Sequence, residues 1–165
     1  DDNRLSATFT GNINDMKIDK VNNGSLDAET FFGERDKGFL LASAPKSKFT
    51  LNMNYNRDKF DAGLAFTHFS KVELLDYQMY EPTSDYDSFE DQINQATDTY
   101  GARLVTDLVF GYQLCEGLKL NVGANNLFNV YPDQQDDWVE GGGYWDSVQM
   151  GFGGAYYYAK IGFTF

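Results

Sequence analysis

Tyr157-Tyr158-Ala159-Lys160-Ile161-Gly162-Phe163-Thr164-Phe165 alternates an apolar set, Tyr157, Ala159, Ile161, Phe163 and Phe165, with a polar or small set, Tyr158, Lys160, Gly162 and Thr164. Strict period-2 patterning specifies a strand with two unlike faces. A strand that keeps this pattern up to an aromatic residue at its end suits the seam of a closed membrane barrel. Lipid solvates the apolar face there, and the terminal ring sits at headgroup level. A strand ending in water has no physical reason to keep such a face.

Composition agrees once the alternation is taken into account. The mean hydropathy is −0.49 and no apolar run approaches the roughly 18 residues of a membrane helix. Alternating strands average their two faces, so a hydropathy scan misses them. The 16 Gly, 11 Tyr and 14 Phe favour sheet. A single cysteine, Cys115, excludes an internal disulfide and a cysteine metal cluster. At 165 residues, size alone would suit one water-soluble domain. The net charge of −12 opposes nucleic acid as a partner, since a phosphate backbone selects Lys and Arg. The opening Asp1-Asp2-Asn3 has no secretory pattern before it and reads as the interior of a longer polypeptide.

Six period-2 segments follow one another, over residues 4–12, 49–56, 60–69, 99–114, 118–126 and 156–165. The second is the clearest: Phe49, Leu51, Met53 and Tyr55 alternate with Thr50, Asn52, Asn54 and Asn56. The fold class expected is therefore all-β and antiparallel. Links of a few residues, Asn56-Arg57-Asp58-Lys59 and Cys115-Glu116-Gly117, alternate with long links over 13–48, 70–98 and 127–155. With every strand antiparallel to the next, the short links gather at one end and the long ones at the other. This is the layout of an outer-membrane barrel with periplasmic turns and extracellular loops; links of about 30 residues are uncommon in compact soluble domains. The last strand then descends to a periplasmic rim at Phe165. Residues 71–98 hold eight Asp or Glu against Lys71 alone, and 127–155 hold five against no basic residue, so negative charge gathers at the loop end.

Val122-Gly123-Ala124-Asn125-Asn126-Leu127-Phe128-Asn129-Val130-Tyr131-Pro132, followed about 25 residues later by the terminal aromatic strand, closely resembles the carboxyl-terminal end of TonB-dependent outer-membrane receptors. The resemblance covers the layout of the whole chain, but only these two motifs are specific. It implies the last six strands of a barrel of about 22, of the siderophore or metal-chelate type rather than the glycan-import type. It places the chain in the outer membrane of a Gram-negative bacterium, beside lipid and lipopolysaccharide. It also implies as partners the remainder of the same receptor with its plug, and TonB-ExbB-ExbD through an amino-terminal TonB box outside this chain. Six strands alone would leave two unpaired edges in hydrocarbon, so the chain is expected to be a fragment, a processed portion or part of a longer polypeptide.

The residues read for structure or function fall into three groups. Asn125, Asn126, Leu127, Phe128, Asn129, Tyr131 and Pro132, with Tyr157, Phe163 and Phe165, carry the family motif and strand closure. Asn125 and Asn126 are suited to satisfying backbone groups where the ladder ends, Leu127 and Phe128 to anchoring the loop, and Pro132 to ending pairing. Arg103, Asp107, Lys119 and Lys160 face the lumen and are expected to form an ion-pair and hydrogen-bond network lining the wall against a plug, with a direct substrate role as the alternative. In the external loops, His68 is a rim histidine or a substrate or metal contact. Asp133, Asp136, Asp137 and Trp138 belong to a stretch that is solvated loop or a weak Ca²⁺ site, with no EF-hand spacing. No other cofactor and no catalytic residue is expected: His68 has no Ser in a nucleophile elbow, and Gly151-Phe152-Gly153-Gly154 lacks dinucleotide-binding spacing. The leading function is energy-coupled import of a scarce nutrient, an iron-siderophore or other metal chelate. The alternative is a β-rich binding or adhesion module without transport.

Overall fold

A computed structural model describes residues 3–22, 24–25, 27, 31–42, 44–75, 97–134 and 149–165. Its centre is one antiparallel sheet of six strands in the order β1-β2-β3-β6-β7-β8. These are β1 Arg4–Ile13, β2 Ser47–Arg57, β3 Phe60–Phe69, β6 Arg103–Cys115, β7 Leu118–Asn125 and β8 Tyr156–Phe163. Two further strands, β4 Val72–Leu75 and β5 Thr97–Tyr100, pair with each other, and a helix, α1, covers Glu34–Ala42.

The register carries one apolar face across all six strands. Ala7 lies opposite Met53, Met53 opposite Leu64, and Leu64 opposite Leu108. Leu108 then lies opposite Ala124 and Ala124 opposite Tyr157. The other face runs Thr8, Asn52, Ala65 and Asp107 in the same manner. Because side chains alternate along a strand, one register slip would mix the two sets, so this alignment is specified by the sequence pattern itself. Aromatic pairs reinforce it on the apolar side: Phe9 stacks on Phe49 at 5.8 Å and Phe60 on Phe110 at 6.1 Å.

Among the described residues the sheet is a single layer. Leu5 and Phe9 are 74% and 68% exposed, and Leu104, Ile161 and Phe163 on the same face are also exposed. The buried hydrophobic cluster lies elsewhere, beyond the sheet's loop end, where Ala42 of α1 meets Val72 and Leu74 of β4 and Tyr100 of β5, with Phe39 packed against them. Within α1, Asp36 Oδ2 accepts from the Gly33 amide at 3.1 Å, which is half of a capping box and marks the helix start.

Both tight turns sit at the opposite end. Asp58 (φ 48°) turns β2 into β3, and Gly117 (φ 75°) turns β6 into β7. A side chain at Gly117 would meet the Thr164 carbonyl oxygen at 2.5 Å, so both its dihedral and its surroundings call for glycine. All three long links leave from the other end, where Ile13 and Ser47, Phe69 and Arg103, and Asn125 and Tyr156 are register partners.

Two sequence expectations need correction. The segment read as one strand over 99–114 is two, because the chain leaves the main ladder at Gly101-Ala102 and β5 pairs with β4 instead. The last strand stops at Phe163 rather than 165; Thr164 still donates from its backbone N to the Gly117 carbonyl at 2.8 Å, but Phe165 lies past the ladder and fully exposed. Among the described residues β1 and β8 each have one strand neighbour, so the sheet is open rather than a closed barrel, the arrangement expected of six strands alone.

Candidate functional site

The motif after β7 builds a latch at the loop end. The chain reverses out of the strand through Asn126 (φ 52°) and Asn129 (φ 55°), both left-handed, a conformation asparagine tolerates better than other side chains. The Asn126 side chain closes this turn twice: Nδ2 donates to the Val130 carbonyl at 2.7 Å, and Oδ1 accepts from the Val130 amide at 2.8 Å. Its own backbone N donates to Asp107 Oδ1 at 2.7 Å, and the Leu127 amide continues to the Thr106 carbonyl at 2.7 Å. Asn129 Oδ1 accepts from the Ala155 amide at 2.9 Å, tying the turn to the approach of β8. Tyr157 Oη adds a bond to the Leu127 carbonyl at 3.3 Å.

Arg103 holds the far side of this latch. Its Nε donates to the Tyr131 carbonyl at 2.8 Å and its guanidinium pairs with Asp133 Oδ1. The other Asp133 oxygen accepts from the Gly101 amide at 2.7 Å. Gln149 caps the adjoining corner, with Nε2 within hydrogen-bonding reach of the Ser70, Tyr100 and Gly101 carbonyls. These bonds satisfy the backbone groups left over where β6 and β7 end and the chain passes toward β5 and β8.

The sequence-predicted residues therefore divide. Asn126, Asn129, Tyr131 and Asp133 come together with Arg103 and Asp107, and Pro132 is buried beside them. Asn125 is the last residue of β7, exposed and opposite Tyr156. Leu127 is half-buried, but Phe128 is 69% exposed, so among the described residues it does not anchor the loop as expected. Tyr157 and Phe163 lie exposed on the apolar face. Arg103, Asp107, Lys119 and Lys160 do share the polar face, and among the described residues they form ion pairs and a hydrogen bond as separate partnerships rather than one network. Arg103 binds Asp133, Asp107 receives the Asn126 amide, and Lys119 pairs with Asp61. Lys160 stands opposite Asn121. Gly111 makes room for the Asp61 carboxylate, which occupies the space a side chain there would need.

His68 is exposed on the apolar face, opposite Phe49 and Leu104, rather than beside the latch. Asp136, Asp137 and Trp138 lie outside the described residues; Asp133 has both oxygens engaged as above. Sequence reading missed α1, the β4–β5 pair, and the roles of Thr106 and Gln149. The only signal for β4 was the short apolar run Val72-Glu73-Leu74-Leu75, and nothing marked Gln149. A cleft of about 420 Å³ opens between α1, β4 and the residues that follow β1. Four lysines line it, Lys17, Lys37, Lys46 and Lys71, and they were not singled out in the sequence because they lie on separate elements. Compared with known proteins, the chain matches no family model, no curated protein and no solved structure.

Proposed function

We propose that this chain is the carboxyl-terminal barrel segment of an energy-coupled outer-membrane receptor that imports a scarce nutrient, with ferric or other metal chelates as the favoured class. One observation carries the reading: an apolar face that no other described residues cover runs in register across a six-stranded sheet, with tight turns at one end and long links at the other. In water such a face would be an aggregation hazard, because contiguous exposed apolar surface of this extent drives association. In a bilayer it is solvated. Strands of 8 to 13 residues are close to the length that spans a membrane at the usual tilt.

The same reading requires more strands. The outer edges of β1 and β8 carry unpaired backbone groups, each costing several kcal/mol in hydrocarbon, so further polypeptide must pair with them. A barrel of about 22 strands holding a plug, coupled to TonB-ExbB-ExbD, is the assembly that the motif resemblance suggests. The latch at Asn126 and Arg103 then fixes the extracellular rim, and the polar face with Lys119-Asp61 lines the lumen.

Uptake tests this directly. Cells carrying the intact gene should accumulate labelled iron supplied as at least one ferric chelate, and cells lacking it should not. Unchanged uptake of every chelate tried, together with loss of adhesion to a protein or glycan, would favour a binding module instead.

A further inference from the structure

We propose that a recess on the polar face of the sheet binds a small organic amine, a primary ammonium group carried on a short apolar stem. The register builds the recess. Asn54, Gly63, Val109, Gly123 and Tyr158 are successive partners across β2, β3, β6, β7 and β8, and in the next row Asn52 lies opposite Ala65 and Ala65 opposite Asp107. A side chain at Gly63 would meet Asn54 Oδ1 at 3.2 Å, and one at Gly123 would meet the ring and hydroxyl of Tyr158 at 2.6 Å. Glycine at both positions therefore lets Asn54 and the Tyr158 ring lean inward over a floor of small residues. Tyr156 stacks on Tyr158 at 6.0 Å and steadies that ring.

The walls select the charge of the ligand. Asp107 borders the recess, and one of its oxygens, Oδ1, accepts from the Asn126 amide. Among the described residues no lysine or arginine borders the recess and none pairs with Asp107. A half-buried carboxylate with one backbone hydrogen bond is best completed by a cation that also donates hydrogen bonds. Asn52, Asn54 and Asn125 add amide oxygens, and their side chains make no hydrogen bond among the described residues. A primary ammonium has three donors and no acceptor, so Asp107 and two of these amides can satisfy it. The Tyr158 ring offers its face to the charge and to the carbons next to it. An anion would meet Asp107 with like charge, and a neutral alcohol would leave it without a counter-charge. At about 230 Å³ the recess is smaller than a drug-sized site, which suits an ammonium head with a few carbons.

The inference does not rest on the transport reading, because the recess lies on the polar face whatever covers the apolar one. Its test is isothermal titration of the full-length protein, in maltoside micelles where a membrane mimic is needed, with n-butylamine at neutral pH as probe. Butylamine should bind saturably, and n-butanol and butyrate should each bind at least about tenfold more weakly. Asp107→Asn keeps an acceptor for the Asn126 amide and removes the charge, so it should weaken butylamine about tenfold. Tyr158→Leu should weaken it several-fold, and a large rise in ionic strength should also weaken it. Glu116→Gln, in the turn after β6, removes a negative charge elsewhere and should leave binding unchanged. No saturable binding of butylamine, equal binding of n-butanol, or unchanged affinity in Asp107→Asn would overturn the proposal. Chelate uptake is measured separately, so its failure would end the transport reading and leave this site standing.

Discussion

The six-stranded sheet and the small assembly of α1, β4 and β5 at its loop end place their apolar side chains in opposite ways. The assembly makes an ordinary core: Leu74 and Tyr100 are 2% and 1% exposed, enclosed by Ala42, Val72 and Phe39. The sheet is much larger, yet it makes no such core among the described residues, and its apolar side chains point outward from a single layer. Apolar side chains thus meet two outcomes in one chain. Where the described residues supply a cover, the apolar side chains pack on it; where they supply none, lipid is the proposed cover.

Substitutions on β2 break this comparison most severely. Met53 and Asn52 are adjacent at the middle of the strand and face opposite ways. Met53→Arg should block assembly into the outer membrane, costing about 4 kcal/mol at mid-bilayer, whereas Asn52→Arg, on the face that carries Asp107, should be tolerated. Membrane fractionation and heat-modifiable migration on gels read both. Two equally tolerated variants would mean that the Met53 side meets water.

The next effect concerns the assembly alone. Leu74→Ala should destabilise it by about 3 kcal/mol, through lost burial and a cavity that the small core fills poorly. Hydrogen exchange should quicken in α1, β4 and β5 while the six-stranded sheet keeps its protection. Equal loosening of both regions would show that they are one cooperative unit.

Asn126→Ala probes the join between them. It removes both bonds to Val130 and places alanine at φ 52°, so about 2 kcal/mol of local stability should be lost. The amides of Leu127 to Val130 should exchange faster, with no change in membrane assembly.

How far the sequence foretold this molecule depended on whether the information was local. Period-2 alternation is local, and the faces of β2, β3, β7 and β8 could be read from it directly. The Gly101-Ala102 break was hidden because Thr97–Tyr100 keeps a strand-like character, and which strand it pairs with depends on β4, remote in sequence. Helix α1 is short, interrupted by Gly38, and gives no amphipathic stripe, so its packing partner decides it rather than its pattern. The latch was half legible: Asn126 was recognisable as the end of a ladder. That Asp107, Arg103 and Asp133 complete it depends on strand pairing. The lysine cleft was not legible, since its charges come from four separate parts of the chain.

The smallest expected effect is electrostatic. Lys71 lowers the Glu73 carboxyl from its ordinary value of 4.5 by a hydrogen bond and by its charge, with Lys46 adding to it. A carboxyl depressed in the folded state contributes stability that is present above its unfolded value and lost as pH falls through the lower folded one. Glu73→Gln should therefore cost something at neutral pH and nothing in strong acid. The side chain is 52% exposed, so solvent screening keeps the effect well under about 1 kcal/mol. Thermal unfolding of the assembly at both pH values reads the difference.

The claim that the sheet's apolar face meets lipid is tested most directly by spin-label accessibility along β2. In a Cys115→Ser background, single labels at positions 49 to 56 in the reconstituted protein are exposed in turn to oxygen, which concentrates in lipid, and to a water-soluble nickel chelate. The account predicts high oxygen access at Phe49, Leu51, Met53 and Tyr55, alternating with nickel access or plug-shielded positions at Thr50, Asn52, Asn54 and Asn56. Nickel access at the first set, or no alternation at all, would contradict it.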